Sequence, residues 1–148
     1  MSGTVHSIYM ASNKGDPQTE AAEARLTVAV GLEGDRYANT GVVTLIELEE
    51  ILNFNDKTGL EITAGEPGRN IVTQGIRLNE LVGKQFWVGD VLLEGFELCE
   101  PCATLGKRLG TERVTGADVV KAFTHSAGIR AYVRGTGEIE PGTPIAES

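Results

Sequence analysis

Residues 4–10 alternate between two faces, Val5, Ser7 and Tyr9 on one and His6, Ile8 and Met10 on the other, which predicts a first strand. Turn formers follow from Ser12 to Thr19. Strand character resumes at 26–30 and breaks again at Gly31-Leu32-Glu33-Gly34-Asp35-Arg36-Tyr37, a polar, glycine-punctuated stretch shaped like a loop that holds something. Residues 44–52 give the best helical pattern: Thr44 and Glu47 are spaced as a capping box, and Leu45, Leu48 and Leu52 share one face. Gly59 is the expected stop.

Beyond it, Gly65-Glu66-Pro67-Gly68-Arg69-Asn70 forms a turn cluster feeding a short strand at 71–73. Two further runs, 85–88 and 91–98, read as strands joined by a tight hairpin at Gly89-Asp90. A second helix is expected at 115–123 and a last long strand at 128–133, with 145–148 as a free tail. Short strands and about two helices imply a mostly β fold: a single β-barrel-like domain of mainly antiparallel strands, plugged by a few helices.

Composition sharpens this picture. With 148 residues the chain has the usual size of one domain, and its 19 glycines favour tight turns over a helical bundle. A formal charge of -8 repels nucleic-acid backbones and anionic lipid, so neither nucleic acid nor membrane is an expected partner. No segment approaches the ~20 apolar residues of a membrane-spanning helix, and the first eight residues lack the basic and apolar regions of a leader. A cytoplasmic location is therefore expected, where two cysteines stay reduced or bind metal.

Those two cysteines carry the candidate chemistry. Cys99 and Cys102 lie in Glu97-Leu98-Cys99-Glu100-Pro101-Cys102-Ala103-Thr104-Leu105, behind an apolar strand. Sulfur is a strong nucleophile and a soft ligand, so the pair suggests metal ligation, persulfide carriage or redox exchange. Dithiol exchange calls for a thiol at a helix N-terminus within a βαβ unit, whereas the residues after Cys102 offer at most a turn of helix before Gly110. No structural zinc is expected, because the only histidines, His6 and His125, lack ligand spacing. Against two inert buried cysteines stands Pro101, which stiffens the backbone that presents Cys102.

Several segments in a fixed order extend this reading. They are Gly34-Asp35-Arg36; Val43-Thr44-Leu45-Ile46-Glu47; Gly68-Arg69-Asn70-Ile71-Val72-Thr73; Leu78-Asn79-Glu80-Leu81-Val82-Gly83; Val88-Gly89-Asp90-Val91-Leu92-Leu93; and Glu100-Pro101-Cys102, ending in His125 to Val133. In this order the chain resembles the MOSC domain, named for the C-terminal domain of molybdenum cofactor sulfurases. The likeness runs from about Val5 to Ile145, which makes residues 1–148 one domain.

The resemblance implies a β-rich barrel whose functional thiol is Cys102; Cys99 has no counterpart in it. In relatives that thiol is associated with sulfur carriage to metal-sulfur centres, or with coordinating molybdenum in a pterin cofactor, as in amidoxime-reducing proteins. The expected function is thus molybdenum-pterin binding or persulfide carriage through Cys102, with a sulfur donor or metal-sulfur assembly proteins as partners. Alternatives are a molybdenum-dependent reductase of N-hydroxylated substrates and a non-catalytic module that binds a small anion or a partner.

Arg36, Arg69, Lys107, Arg108 and Arg130 are the candidates for a phosphate or pterin, since guanidinium forks match its oxygens; the competing role for each is a solvated charge or ion pair. Arg69, in a turn between Gly68 and Asn70, leads the set. Asn70 is grouped with it, although Asn70 and Asp35 are also suited to tying loops together. His125 is either a proton donor or a turn residue. A stand-alone MOSC-like protein is the expectation, although the chain starts almost at the domain's first strand, without the preceding region of the sulfurase and amidoxime-reducing relatives on which substrate specificity often depends, and its net acidity offers little general attraction to a phosphorylated pterin.

Overall fold

The computed structural model describes residues 2–148. Strands β1 (Ser2–Met10), β5 (Val42–Glu47), β6 (Ile71–Gln74), β7 (Gln85–Val88), β8 (Val91–Leu98), β9 (Ile129–Gly135) and β11 (Pro144–Glu147) close into a barrel in the order β1-β11-β7-β8-β9-β5-β6 and back to β1. Every neighbouring pair is antiparallel except β5 and β6, which helix α1 (Leu48–Thr58) joins as a crossover. Strand β2 (Thr19–Ala21) pairs with β1 outside the ring, and β3 (Ala24–Thr27), β4 (Gly31–Leu32) and β10 (Gly137–Ile139) make a small separate sheet.

The barrel is filled by inward residues such as Ile8, Leu45, Ile71, Phe86, Leu93 and Ile129, all fully buried. A second core lies between its outer wall and the helices α1, α2 (Ala103–Leu109) and α3 (Gly116–Phe123). Here Phe54 stacks on Phe123 with ring centroids 4.1 Å apart, beside Ile46, Val72, Leu105 and Val119. Helices α2 and α3 touch main chain to main chain, because a Cβ at Gly106 would come within 2.5 Å of the Gly116 carbonyl oxygen.

The hairpin at Gly89-Asp90 forms as read, with Val88 opposite Val91, and Gly59 ends α1 in a left-handed conformation at φ 76°. Other expectations need correction. The helix expected over 44–52 is strand up to Glu47 and helix only from Leu48. Strand β5 sends Val43 and Leu45 into the barrel and Ile46 into the second core, so apolar residues fall on both of its faces and their spacing imitates a helix. Its supposed cap residues serve elsewhere: the Thr44 hydroxyl bonds to Asn70, and Glu47 accepts the Leu78 amide at 3.1 Å beside Arg77 at 3.5 Å. Helix α1 therefore buries Ile51 and Phe54 and leaves Leu52 54% exposed.

Residues 145–148 are not a free tail, for Ile145 is buried where β11 pairs with both β1 and β7. The strand expected over 26–30 stops at Thr27, and Ala29 turns the chain at φ 68°. In β1 the register shifts between Val5 and Ser7, so that Val5 and Ile8 both enter the barrel core and the simple two-face alternation fails.

Candidate functional site

Strand β8 leaves the barrel at Leu98 and passes through residues 99–102 into α2. Pro101 keeps the segment extended, and the Cys99 amide ties it to the start of β9 through the Gly128 carbonyl at 2.8 Å. Gly128 is held at φ 99°, where a Cβ would collide with the Leu45 carbonyl oxygen, so this crossing of β5, β8 and β9 admits only glycine. Both cysteines are free; Cys99 is buried and Cys102 exposed. That difference is what an extended backbone imposes on positions three apart, whose side chains leave on opposite sides.

Cys102 is the N-cap of α2. The sequence allowed at most one helical turn after it; the structure has seven helical residues, because Leu105 and Leu109 pack into the second core and Gly106 fits against Gly116. As a neutral thiol Cys102 makes no capping bond of the kind Thr115 makes to Asp118 in α3. Its surroundings nonetheless ease ionisation relative to an ordinary thiol. The Leu105 amide does most to hold its pKa below the ordinary thiol value, partial burial opposes this, and the Thr104 amide and hydroxyl and the Arg69 charge add to the lowering.

The thiol opens onto a cavity of about 470 Å³ whose wall includes Arg36, Tyr37, Thr44, Arg69, Asn70, Phe96, Glu100 and Arg130 as well as Cys99. The fold thus brings together Cys102, Arg36, Arg69, Asn70 and Arg130 from four separate stretches of chain. Arg108 lies apart, lining an adjoining cleft and donating to the Glu66 carbonyl at 2.9 Å, and Lys107 is exposed without lining either cavity.

Arg69 is occupied as a clamp. Its Nε donates to Ala127 O at 2.9 Å, one terminal nitrogen to Cys99 O at 3.0 Å and the other to Pro67 O at 3.2 Å. Burial draws its pKa below the ordinary value; the nearby cysteine sulfurs oppose that shift, while Arg130 and Arg108 reinforce it. Arg130 is held by Glu97 at 3.2 Å. Arg36 differs: it lies 5.2 Å from the Tyr37 ring centre, and its buried Nε has no partner.

Asn70 is buried and braces three strands, accepting from the Thr44 amide and hydroxyl and donating to Tyr9 O at 3.2 Å. Asp35 likewise accepts from the Ala11 and Tyr37 amides. His125 is bound at Nδ1 by Glu100 at 2.6 Å in the turn before β9, and His6 is exposed in β1 with Nδ1 2.9 Å from the Ser7 hydroxyl. Sequence reading missed the aromatic walls Tyr37 and Phe96. Tyr37 does directly follow Asp35-Arg36, but Phe96 is indistinguishable from an ordinary strand residue until β8 is placed.

A closed seven-stranded barrel with a single exposed thiol at its rim, facing a cationic cavity, defines a class of small β-barrel domain. The family model of the MOSC domain matches residues 35–146, and the chain belongs to that family, which is associated in general with molybdenum cofactor binding. No curated protein matches the chain. Among solved structures, the YuaD protein from Bacillus subtilis superposes with a TM-score of 0.87 at 17% identity, over 98% of this chain and 94% of that one. YiiM from Geobacillus stearothermophilus gives 0.76 at 19% over 99% and 75%, and YiiM from Escherichia coli 0.72 at 21% over 100% and 70%. At such identities the likeness is one of fold.

Among the described residues no helix is long and apolar enough to cross a membrane. Among the described residues no group of three or more His, Cys, Asp or Glu stands close enough to hold a metal ion.

Proposed function

We propose that the cavity beside Cys102 binds the molybdenum-pterin cofactor, with the Cys102 thiolate as the protein's sulfur ligand to the metal. The observation that carries this reading is the exposed thiol of Cys102, its pKa lowered by local amides, at the rim of an arginine-lined cavity. The donor set fits: one soft thiolate suits a metal already chelated by an organic ligand, where a bare ion would need three or four protein groups. A cavity of about 470 Å³ also lies in the range of small-molecule sites, roughly 300–1,000 Å³.

When bound, the cofactor supplies two-electron redox chemistry at its metal. The chain's own residues do the rest. Arg36 and Arg130 would hold anionic oxygens of the cofactor, and Tyr37 and Phe96 would shield its ring system from water, while Arg69 holds the three loops that shape the cavity and lends its charge to the thiolate.

A second reading, persulfide carriage by Cys102, is favoured by one feature, the exposure of that thiol, which lets a sulfur-donor protein reach it. Protein purified from a molybdenum-replete host distinguishes the two. Bound molybdenum with a pterin, lost in Cys102→Ser, supports cofactor binding, and cyanide-labile sulfur lost in the same variant supports carriage. If neither accompanies the wild type, both readings fail and a module that binds a small anion or a partner protein takes their place.

A further inference from the structure

The helices leave one wall of the barrel bare. The core beneath them includes Ile46 of β5 and Val72 of β6 but no residue of β7, β8 or β9. The outer face of these three strands carries Trp87, 41% exposed, and the rings of Phe96 and Tyr132, stacked at 4.1 Å. Around the rings the charges are sorted by strand. Strand β8 supplies the acids Glu94 and Glu97, and β9 the bases Arg130 and Arg134, joined sideways at 3.0 Å between Glu94 and Arg134 and at 3.2 Å between Glu97 and Arg130. A register shift between Gly95 and Glu97 lets Phe96 and Glu97 both reach this face, the one stacked on Tyr132 and the other bonded to Arg130. Arg134 also lies 4.6 Å from the centre of the Tyr132 ring. Tryptophan, tyrosine and arginine gathered on one open face are the residues that anchor protein contacts.

We propose that this face is the two-fold interface between two copies of the chain. An acidic row beside a basic row is complementary to itself. A two-fold axis running along the strands between β8 and β9 exchanges the places of the two strands, and so sets the acidic row of each protomer on the basic row of its partner. Glu94 of one protomer then meets Arg134 of the other, Glu97 meets Arg130, and the stacked Phe96–Tyr132 pairs lie against each other near the axis. A partner bearing one sign of charge would be repelled by one row while drawn to the other, which is why a second copy fits best. Phe96 and Arg130 also line the Cys102 cavity, so the second protomer narrows the way into it. The interface does not depend on what that cavity binds.

The test is sedimentation velocity over a concentration series at physiological salt, where a Debye length of about 8 Å screens the general repulsion of two acidic chains and spares groups in contact. The wild type should dimerise with a Kd of roughly 1–10 μM, as suits an interface of modest area. Glu94→Arg and Arg134→Glu, each checked by a thermal melt, set like charges against each other across the axis and should each weaken self-association about tenfold or more. An equimolar mixture of the two variants should dimerise again, because each then offers the charge that the other lacks. The double variant carrying both substitutions keeps the ion pair within each chain and should dimerise by itself, even where a single variant folds poorly. A wild type that stays monomeric at about 100 μM would overturn the proposal. So would single variants that dimerise as tightly as the wild type, or a mixture no more associated than its components.

Discussion

Glu100 grips His125 at two points: its carboxylate lies 2.6 Å from the imidazole Nδ1 and accepts the His125 backbone N–H at 2.7 Å. His125 sits in a left-handed conformation at φ 65°, and its carbonyl accepts from the Asn79 side-chain Nδ2 at 2.8 Å. The segment that presents Cys102 is thereby fastened to the turn that starts β9. Both partners are largely exposed, so Glu100→Ala should cost no more than about 1 kcal/mol of stability. Its effect belongs to local opening: amide hydrogen exchange should quicken over residues 99–105 and 124–128 and nowhere else. Unchanged exchange there would show the contact to be idle.

Arg69 spans three loops with one side chain, and its removal should be costly. Arg69→Met leaves the carbonyls of Pro67, Cys99 and Ala127 without their donor, a loss of about 3 kcal/mol by urea denaturation. Arg69→Lys offers a single ammonium where a fork reached three ways, and should recover only a minor part of that loss. A lysine as stable as the wild type would contradict the clamp.

The lowered pKa of Cys102 predicts the pH profile of its alkylation by iodoacetamide. The rate should reach half its plateau below the ordinary thiol pKa, and Thr104→Val, which removes one of the lowering hydrogen bonds, should move that midpoint upward. The sign for stability follows. With the folded pKa below the unfolded one, this contribution is fully present above the unfolded value and is lost as pH falls through the folded one. A profile identical to that of a free thiol would remove the basis for a poised sulfur.

Closure of the barrel depends on β11. Ile145 is fully buried between Gly3 and Val88, so Ile145→Ala should cost about 3 kcal/mol in chemical denaturation. Deleting 144–148 would leave β1 and β7 with unpaired edges, and the cooperative thermal transition should disappear.

Local chemistry made part of this molecule readable in advance. The Gly89-Asp90 hairpin, the Gly59 stop and helix α3 rest on neighbours in sequence, and each formed where expected. What depended on distant partners was hidden. Strand β5 looked helical because apolar residues on both of its faces erased its alternation, and β11 looked like a tail because both of its partners lie far away in the chain. At the site, Cys102 stood out through Pro101 and its place in the MOSC pattern. The separate tasks of the arginines could not be seen, since whether a guanidinium clamps loops, as Arg69 does, or keeps an unpaired nitrogen, as Arg36 does, depends on carbonyls tens of residues away.

The bare contact between Gly106 and Gly116 makes the exposed sulfur of Cys102 answerable to a joint it never touches. Helix α2 starts at Cys102 and rests directly on the main chain of α3, with no side chain between them to yield. A single methyl group added at Gly106 would act as a wedge, prising that helix off its bed and swinging the sulfur out of alignment with the cavity. Reactivity could in this way be dialled from the far side of the helix pair, with every residue of the cavity left intact.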